Sequence, residues 1–303
     1  MRVAAIDVGT NSTRLLVAEE QAGGFRALER RMTITRLGQG VDSRRILAPE
    51  ALQRTLATIA DYAASCGEYG VTRLRVTGTS AVRDAHNRDE FFEGVRRLTG
   101  TEAELLSGDT EARTTFLGAL SDLVVDDPVL VVDIGGGSTE LIVGRSEPER
   151  VVSMDVGCVR LLEKHLRSDP PAADELEALR REVEETIAGA RPTLAVPHGA
   201  RLVGVAGTVT QLAALKAGTP AYDPDVTHHS VLSHGDVRRL ARRLESLPYD
   251  KRKNVRGLIP GRVDVIVPGA EILLCVMEAF DAPEVLVSEK DILDGLVIQL
   301  LST

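Results

Sequence analysis

The sequence of 303 residues contains no tryptophan and only 3% aromatic residues. Unpaired bases stack on aromatic side chains, so this scarcity argues against single-stranded nucleic acid as the main ligand. The formal net charge of −9 argues the same way, because nucleic-acid-binding proteins generally carry a basic surface. We therefore expect no nucleic acid among the partners. A phosphate-rich ligand stays compatible with the sequence, because backbone amides and local charge can bind it.

Long apolar runs and paired cysteines are also missing. No stretch of about 18 consecutive apolar residues occurs, so we expect no membrane-spanning helix and no membrane partner. The cysteines, Cys66, Cys158 and Cys275, show neither disulfide nor metal-binding spacing. A strand-like pattern begins at Val3 without room for a signal peptide, and together with the cysteines this predicts a reduced, cytoplasmic location.

The chain does contain a repeated glycine turn. The stretches 3-VAAIDVGTNSTRLLVA-18 and 129-VLVVDIGGGSTELIVG-144 share an apolar strand, an aspartate, a tight glycine turn, a Ser-Thr pair and a second strand. Their aspartates, Asp7 and Asp133, lie 126 residues apart, too far for a solenoid repeat. Each copy predicts a β-hairpin, and the repetition predicts a duplicated domain.

The pattern after each hairpin predicts a third strand, a helix, a fourth strand and another helix, which is typical of an α/β domain. We expect two duplicated α/β domains, residues 1–123 and 124–303, with a cleft between them. The Asp-Asp-Pro break at 126–128 marks the boundary. The last helix could pack back on the first domain. A strand over 201–207 is expected to turn at Gly207 into a helix over 208–217. The patterns also predict a strand over 102–106 and helices over 49–66, 87–98, 172–190, 234–246 and 291–302.

The glycine turn of the second hairpin suits an anion. Gly135, Gly136 and Gly137 allow the backbone to approach a ligand closely, and consecutive N–H groups can surround an anion. Ser138 adds a hydroxyl donor. Asp133 would repel phosphate, so it is interpreted as a ligand of a divalent cation or as a group that orients attacking water. One glycine hairpin is usually only a turn, but two copies with the same flanking residues favour phosphate binding.

The two turns, 7-DVGTNSTRLLV-17 and 133-DIGGGSTELIV-143, resemble the paired phosphate motifs of the actin-like ATPase superfamily. Four further stretches narrow the resemblance to the exopolyphosphatase and guanosine pentaphosphate phosphatase family (Ppx/GppA): 78-GTSAVRDAHN-87, 106-LSGDTEARTTFLGAL-120, 204-GVAGTVTQLAAL-215 and 267-VPGAEILLCVME-278. The resemblance spans nearly the whole chain and implies two actin-like (ribonuclease-H-like) domains. No His-Asp doublet occurs, so the chain is similar to short members without a C-terminal HD-type region.

The resemblance implies a phosphoric anhydride hydrolase that uses Mg²⁺ or Mn²⁺. Family members remove terminal phosphate from inorganic polyphosphate, or the 5′ γ-phosphate from guanosine pentaphosphate, a nucleotide of the stringent response. The leading hypothesis is an exopolyphosphatase, and a guanosine pentaphosphate 5′-phosphatase is the first alternative. An actin-like small-molecule kinase and a non-catalytic sensor of polyphosphate or guanosine tetraphosphate also stay open. Relatives often pair, so a homodimer is expected.

The resemblance also assigns the catalytic groups. Glu111, in the SGDTEAR stretch, matches the family glutamate that activates the attacking water, and Ser107 or Asp109 is expected to cap its helix. From the sequence alone, Glu111 could instead complement the helix dipole. Arg83 matches a family arginine whose forked donors suit phosphate, the alternative being a surface ion pair with Asp84.

The expected metal site consists of Asp133, which is also counted as catalytic, and Glu140, with Asp7 as a further ligand. Glu140 has Arg14 as its counterpart in the first hairpin, so one side of the cleft is expected to bind metal and the other phosphate. A larger set of groups is expected to bind the terminal phosphate: Asn11, Ser12, Gly135, Gly136, Gly137, Ser138, Gly207 and Thr208.

Basic residues concentrate in 251-KRKNVRGLIPGR-262 and on the helix predicted just before it. They are interpreted either as a solvated surface or as a track for a long polyanion, whose affinity would fall with salt. His228 and His229 lack partners at metal-binding spacing and are interpreted as loop residues.

Overall fold

The computed structural model describes residues 1–219 and 221–302, so Thr303, the last residue of the predicted second domain, lies outside the described residues. The strands are β1 (Arg2–Val8), β2 (Ser12–Gln21), β3 (Gly24–Ile34), β4 (Arg73–Gly78), β5 (Glu104–Leu105), β6 (Val129–Ile134), β7 (Thr139–Gly144), β8 (Pro148–Met154), β9 (Arg201–Val205), β10 (Val231–Ser233) and β11 (Glu284–Val287).

The helices are α1 (Val41–Arg44), α2 (Pro49–Glu68), α3 (Ser80–Asp84), α4 (Arg88–Thr99), α5 (Gly108–Ala119), α6 (Cys158–His165), α7 (Ala173–Leu194), α8 (Ala206–Ala217), α9 (Pro224–Thr227), α10 (His234–Glu245), α11 (Tyr249–Arg252), α12 (Ile266–Ala279) and α13 (Ile292–Leu301). A short 3₁₀ helix covers Pro260–Arg262.

The chain forms two compact units. The first consists of Met1–Ser121 together with the segment that begins at Lys290, and the second is Asp122–Glu289. The division lies two residues before the predicted boundary, and α13 belongs to the first unit. Each unit contains one sheet with helices, as expected for an α/β domain.

The two sheets repeat one strand order. In the first unit it is β3-β2-β1-β4-β5, and in the second it is β8-β7-β6-β9-β11, with β10 added antiparallel at the edge. In both, the hairpin strands are antiparallel and the next strand pairs in parallel with the first hairpin strand. The predicted duplication of an α/β domain is therefore confirmed by topology.

Strand β1 is buried on both faces because helices cover both of them. Its alternate residues point to opposite faces, as the strand period requires. Ala4, Ile6 and Val8 join one apolar cluster. Val3 and Ala5 join another with four residues of α13. The last helix thus completes the core of the first unit.

Three local predictions differ from the structure. The strand expected over 201–207 ends at Val205, because Ala206, the first residue of α8, changes the chain direction with a φ of 63°. The strand expected over 102–106 contains only two residues. The helices of four or five residues, α1, α3, α9 and α11, were not predicted, because an element of about one turn shows no hydrophobic period.

Candidate active site

The second glycine turn connects β6 to β7 and is held from one side by the start of α6. The N–H of Gly135 donates to the carbonyl of Ser138 at 3.0 Å and closes the turn. The carbonyl of Gly135 accepts from Cys158, that of Gly136 from Val159, and that of Gly137 from the Arg160 side chain, at 2.8 to 3.0 Å. All three glycine carbonyls therefore point toward α6.

The amides of the same turn point the other way. In a trans peptide, a carbonyl and the following N–H are directed oppositely, so the N–H groups of Gly136, Gly137 and Ser138 point away from α6. No acceptor within residues 1–219 and 221–302 receives a hydrogen bond from these three groups. Three consecutive N–H donors aimed at one side are the arrangement that an anion-binding concavity requires, and anion binding by this turn stays a prediction.

Asp133 and Glu140 are directly opposite each other in the β6–β7 ladder. Opposed residues of an antiparallel pair project from the same face of the sheet, so both carboxylates share one face. Both are buried, and Glu140 accepts a hydrogen bond of 2.6 Å from the Ser153 hydroxyl. Two carboxylates on one face form the oxygen donor set that Mg²⁺ or Mn²⁺ prefers, so these residues fit the expected metal.

Asp7 does not fit that role. It opposes Arg14 in the β1–β2 ladder, and Arg14 Nη2 lies 2.7 Å from Asp7 Oδ2. Thr77 donates to the other carboxylate oxygen, and Arg14 also contacts Asp291 at the start of α13. The metal-ligand role predicted for Asp7 is disfavoured, because an arginine stands where the second hairpin has Glu140 and neutralises the carboxylate.

The first glycine turn has a similar frame and an unsatisfied side chain. The carbonyls of Thr10 and Asn11 accept from the backbone of Gly38 and Arg36 at 2.9 and 3.0 Å. The Asn11 amide is buried, and neither its nitrogen nor its oxygen forms a hydrogen bond within the described chain. Buried polar groups are normally paired, so this amide suits an outside partner such as the predicted phosphate.

Glu111 and Arg83 lie together in the first unit. Ser107 caps α5, as predicted, by accepting from the N–H of Thr110, and Glu111 lies in the first turn of that helix. Arg83 Nη1 is 3.3 Å from Glu111 Oε2 and donates to the Leu106 carbonyl at 2.9 Å. The alternative ion pair between Arg83 and Asp84 is not formed. Arg83 contacts Glu111 instead, and Asp84 lies 3.6 Å from Arg45.

Gly207 and Thr208 lie in the first turn of α8. A β-carbon at Gly207 would lie 2.0 Å from the guanidinium of Arg262, so a larger residue there would require that flexible side chain to move. The Thr208 side chain is buried, and a β-carbon at Gly269 of α12 would meet its hydroxyl at 2.5 Å.

The basic segment 251–262 does not behave as one surface track. Arg252 is buried, and its guanidinium donates to the carbonyls of Leu244, Leu247 and Val263. Lys253 pairs with its neighbour Asp250. Arg262 is the member that reaches a predicted site residue, and neither the charge run nor its spacing distinguishes it from the others.

The two histidines acquire a partner that the sequence does not indicate. Asp122 contacts His228 Nε2 at 2.9 Å and His229 Nε2 at 3.4 Å. The potential ligand atoms of the three side chains lie within 4.8 Å of one another, close enough to share a metal ion. His228 Nδ1 accepts from the N–H of Glu289, so Nε2 carries the proton and donates to Asp122. A metal would need that nitrogen unprotonated, so the contact is better explained as a hydrogen bond.

The three cysteines and the helices have ordinary structural roles within the described residues. All three cysteines are free and buried, and burial raises the pKa of Cys66 and of Cys158 to about 11. A thiol in that state is a poor nucleophile. Among the described residues, no helix combines the length and the apolar character that crossing a membrane requires.

Comparison with known proteins identifies the family. The chain matches the Ppx/GppA phosphatase family over residues 16–303, and it belongs to that family. It is 41% identical to Exopolyphosphatase 2 of Mycobacterium tuberculosis, over 99% of this chain and 98% of that protein. It is 26% identical to the guanosine-5'-triphosphate,3'-diphosphate pyrophosphatase of Photobacterium profundum, covering 59% of that protein.

Solved structures agree with the fold. A Ppx/GppA family member from Aquifex aeolicus superimposes with a TM-score of 0.85 at 31% identity, over 100% of this chain and 98% of that one. An exopolyphosphatase from Cytophaga hutchinsonii gives a TM-score of 0.93 at 25% identity, with the same coverage. The predicted α/β fold is therefore confirmed as that of the Ppx/GppA family.

Proposed function

We propose that this protein is an exopolyphosphatase that hydrolyses the terminal phosphoanhydride bond of inorganic polyphosphate. The observation that carries the proposal is the set of three parallel amide donors at Gly136, Gly137 and Ser138. Such donors neutralise the equatorial oxygens of a phosphoryl group without base recognition, as polyphosphate requires. The similarity to Exopolyphosphatase 2 over nearly the whole chain supports this choice.

Glu111 is proposed as the general base. Its carboxylate takes a proton from the attacking water, whose oxygen forms the new bond to phosphorus as the bond to the bridging oxygen breaks. Arg83, 3.3 Å from that carboxylate, orients it and offers its remaining donors to phosphate. Asn11, Ser12, Ser138 and the N-terminal amides of α8 at Gly207 and Thr208 are proposed as further phosphate contacts.

Asp133 and Glu140 are proposed to hold Mg²⁺ or Mn²⁺. A bound divalent ion supplies charge neutralisation to phosphate oxygens. Their placement on one buried face of β6 and β7 supports the assignment. Three free, buried cysteines are compatible with the proposed cytoplasmic location. A homodimer stays a prediction from the family resemblance.

Guanosine pentaphosphate is the second candidate substrate, favoured by the similarity to guanosine pyrophosphatases. The test measures phosphate release with Mg²⁺ from long polyphosphate, guanosine pentaphosphate and ATP in parallel. The proposal predicts the highest kcat/KM with polyphosphate, and loss of activity with a chelator. Preference for guanosine pentaphosphate would make the second candidate correct. Transfer from ATP to a small acceptor, without release from polyphosphate, would favour the kinase alternative.

A further inference from the structure

A basic cavity of about 390 Å³ lies in the first unit beside the proposed base. It is lined by Arg45, Arg83, Asp84, Ala85, His86 and Arg88. Its lining comes from two chain segments: the residue that follows α1, and the stretch from the end of α3 to the start of α4. No motif discussed above includes Arg45 or Arg88.

Hydrogen bonds fix the two segments to each other. The backbone N–H of His86 donates to the Arg45 carbonyl at 2.8 Å. The Asn87 side chain accepts from the N–H of Leu47 at 2.8 Å and donates to the Leu47 carbonyl at 3.1 Å. The cavity wall is therefore built by the fold and is not an accidental gap between loops.

Arg45 is held in an unfavourable backbone conformation. Its φ is 54°, in the left-handed region that residues with a β-carbon rarely adopt. Glycine would satisfy the same turn without strain, so an arginine here is not explained by the backbone. Strained residues of this kind cluster at ligand sites, and the side chain that the strain positions lines the cavity.

The cavity has an excess of positive charge. Three arginines line it, of which Arg45 lies 3.6 Å from Asp84 and Arg83 lies 3.3 Å from Glu111, so Arg88 supplies the excess positive charge. No residue in the described ranges forms an ion pair or a hydrogen bond with the Arg88 side chain. Arginine forks match phosphate oxygens, so a phosphate group is the ligand that this lining suits.

We propose that this cavity is a second anion subsite, which holds phosphate groups of polyphosphate that follow the one being released. Arg83 belongs both to the cavity lining and to the contact with Glu111, so the subsite is continuous with the proposed base. Chains long enough to reach Arg45 and Arg88 gain contacts that shorter chains lack. The identity of the ligand rests on the proposed function.

The test uses the double variant Arg45→Gly/Arg88→Ala. Glycine keeps the left-handed turn at position 45, so the charges are removed without a new backbone penalty. The matched control is Arg96→Ala/Arg97→Ala, which removes two exposed arginines of α4 outside the cavity. We expect the first variant to lower kcat/KM for long polyphosphate by roughly tenfold or more, and that for tripolyphosphate much less. The control should change neither.

Salt dependence gives a second readout. The slope of log affinity against log salt should become shallower by about one for each phosphate contact that is lost. It is measured by the binding of long polyphosphate to the full-length Glu111→Gln protein, with and without the two cavity substitutions. An equal loss for long and short chains, or an equal effect of the control pair, would overturn the subsite.

The outcomes separate this inference from the proposed function. Turnover of polyphosphate with no length-dependent effect of the double variant rejects the subsite and keeps the exopolyphosphatase. Absence of turnover, with long polyphosphate binding that the double variant weakens, keeps the subsite and rejects the activity. If the wild-type protein neither hydrolyses nor binds polyphosphate, both are wrong. Melting temperatures of all variants confirm that the fold is retained.

Discussion

Glu140 and Arg14 occupy the same place in two copies of one hairpin and carry opposite charges. Each faces the aspartate of its own hairpin across an antiparallel ladder. In the first copy an internal ion pair results, with 2.7 Å between Arg14 Nη2 and Asp7 Oδ2. In the second copy two buried carboxylates share a face. A single exchange of charge thus separates a structural aspartate from a candidate metal ligand.

Replacing Glu140 with glutamine tests this difference. The substitution keeps the shape of the side chain and removes one carboxylate. The Mg²⁺ concentration for half-maximal phosphate release should therefore rise by at least about tenfold. Loss of a residue that only hydrogen-bonds to a metal ligand already weakens metal binding by about 10–100-fold, and loss of a direct ligand should do no less. The control is Glu149→Gln, an exposed acid on β8. An unchanged Mg²⁺ dependence would reject the metal site.

The sequence predicts the charges of the two hairpins but not their partners. Asp7 looked equivalent to Asp133 because the flanking residues are the same. Arg14, which pairs with Asp7, also pairs with Asp291 near the end of the chain. Only folding brings Asp291 close to the first hairpin. The Arg45 and Arg88 cavity escaped prediction for the same reason, since its lining joins segments separated by about 40 residues and depends on backbone hydrogen bonds.

The glycine turn depends on how α6 is packed against it. A β-carbon at Gly157 would lie 2.5 Å from backbone atoms of Gly136 and Gly137, which cannot move aside like a flexible side chain. We expect Gly157→Ala to lower phosphate release by about 10²-fold, the effect of displacing a binding group by roughly 1 Å. Stability should fall by about 1–3 kcal/mol, as for other overpacked sites.

Gly189→Ala is the matched control for that substitution. Gly189 lies inside α7 and is exposed, and a β-carbon there would meet no atom within 4 Å. Alanine should therefore raise stability by about 0.5–1 kcal/mol through helix propensity and leave activity unchanged. Equal activities of the two alanine variants would show that the turn does not need its close contact with α6.

Glu271, a buried acid of α12 that contacts Arg180 of α7, should make the stability depend on pH. Burial, and then a hydrogen bond to Glu245, raise the pKa of Glu271 to about 8, although Arg180 lies 2.9 Å away and opposes the shift. The folded protein therefore binds this proton more tightly than the unfolded chain, whose glutamate has an ordinary pKa of about 4.3. Stability should fall as the pH rises from about 5 to 8.

The Glu271→Gln variant should lose this pH dependence. Its free energy of unfolding, relative to the wild type, should increase by about 3–4 kcal/mol between pH 5 and pH 8, since each pKa unit corresponds to about 1.4 kcal/mol. Using the difference between two pH values cancels any constant cost from the lost contact with Arg180. Denaturant unfolding at both pH values measures it, with the exposed Glu177→Gln as the control. Parallel pH profiles of wild type and Glu271→Gln would contradict the assignment.

The elements were predicted best where a periodic pattern is long. Helices α2, α4, α7, α10 and α13 and both hairpins were expected near their observed bounds. A period of 3.6 or 2 needs several residues to become visible, so the helices of a single turn left no signal. The direct passage from β9 to α8 also escaped, because one alanine in a left-handed conformation makes a turn that glycine was expected to make.

The whole chain is a duplicated fold in which an acidic protein is proposed to bind a polyanion. The net charge of −9 means that long-range attraction cannot supply the affinity. Local donors must do so, and each unit has its own: backbone amides at the second glycine turn, and the arginine cavity with Asn11 in the first unit. The duplication therefore does not make the units equivalent, because their functional groups have diverged.

The most direct measurement is phosphate release from long polyphosphate with Mg²⁺ by wild type and Glu111→Gln. The control, Glu102→Gln, removes an exposed carboxylate whose partner is Arg96. Loss of a general base predicts a fall in kcat of about 10²–10⁴-fold for Glu111→Gln and none for the control, with polyphosphate binding retained. Wild-type rates in Glu111→Gln would contradict the catalytic assignment, and no release by the wild type would contradict the proposed activity itself.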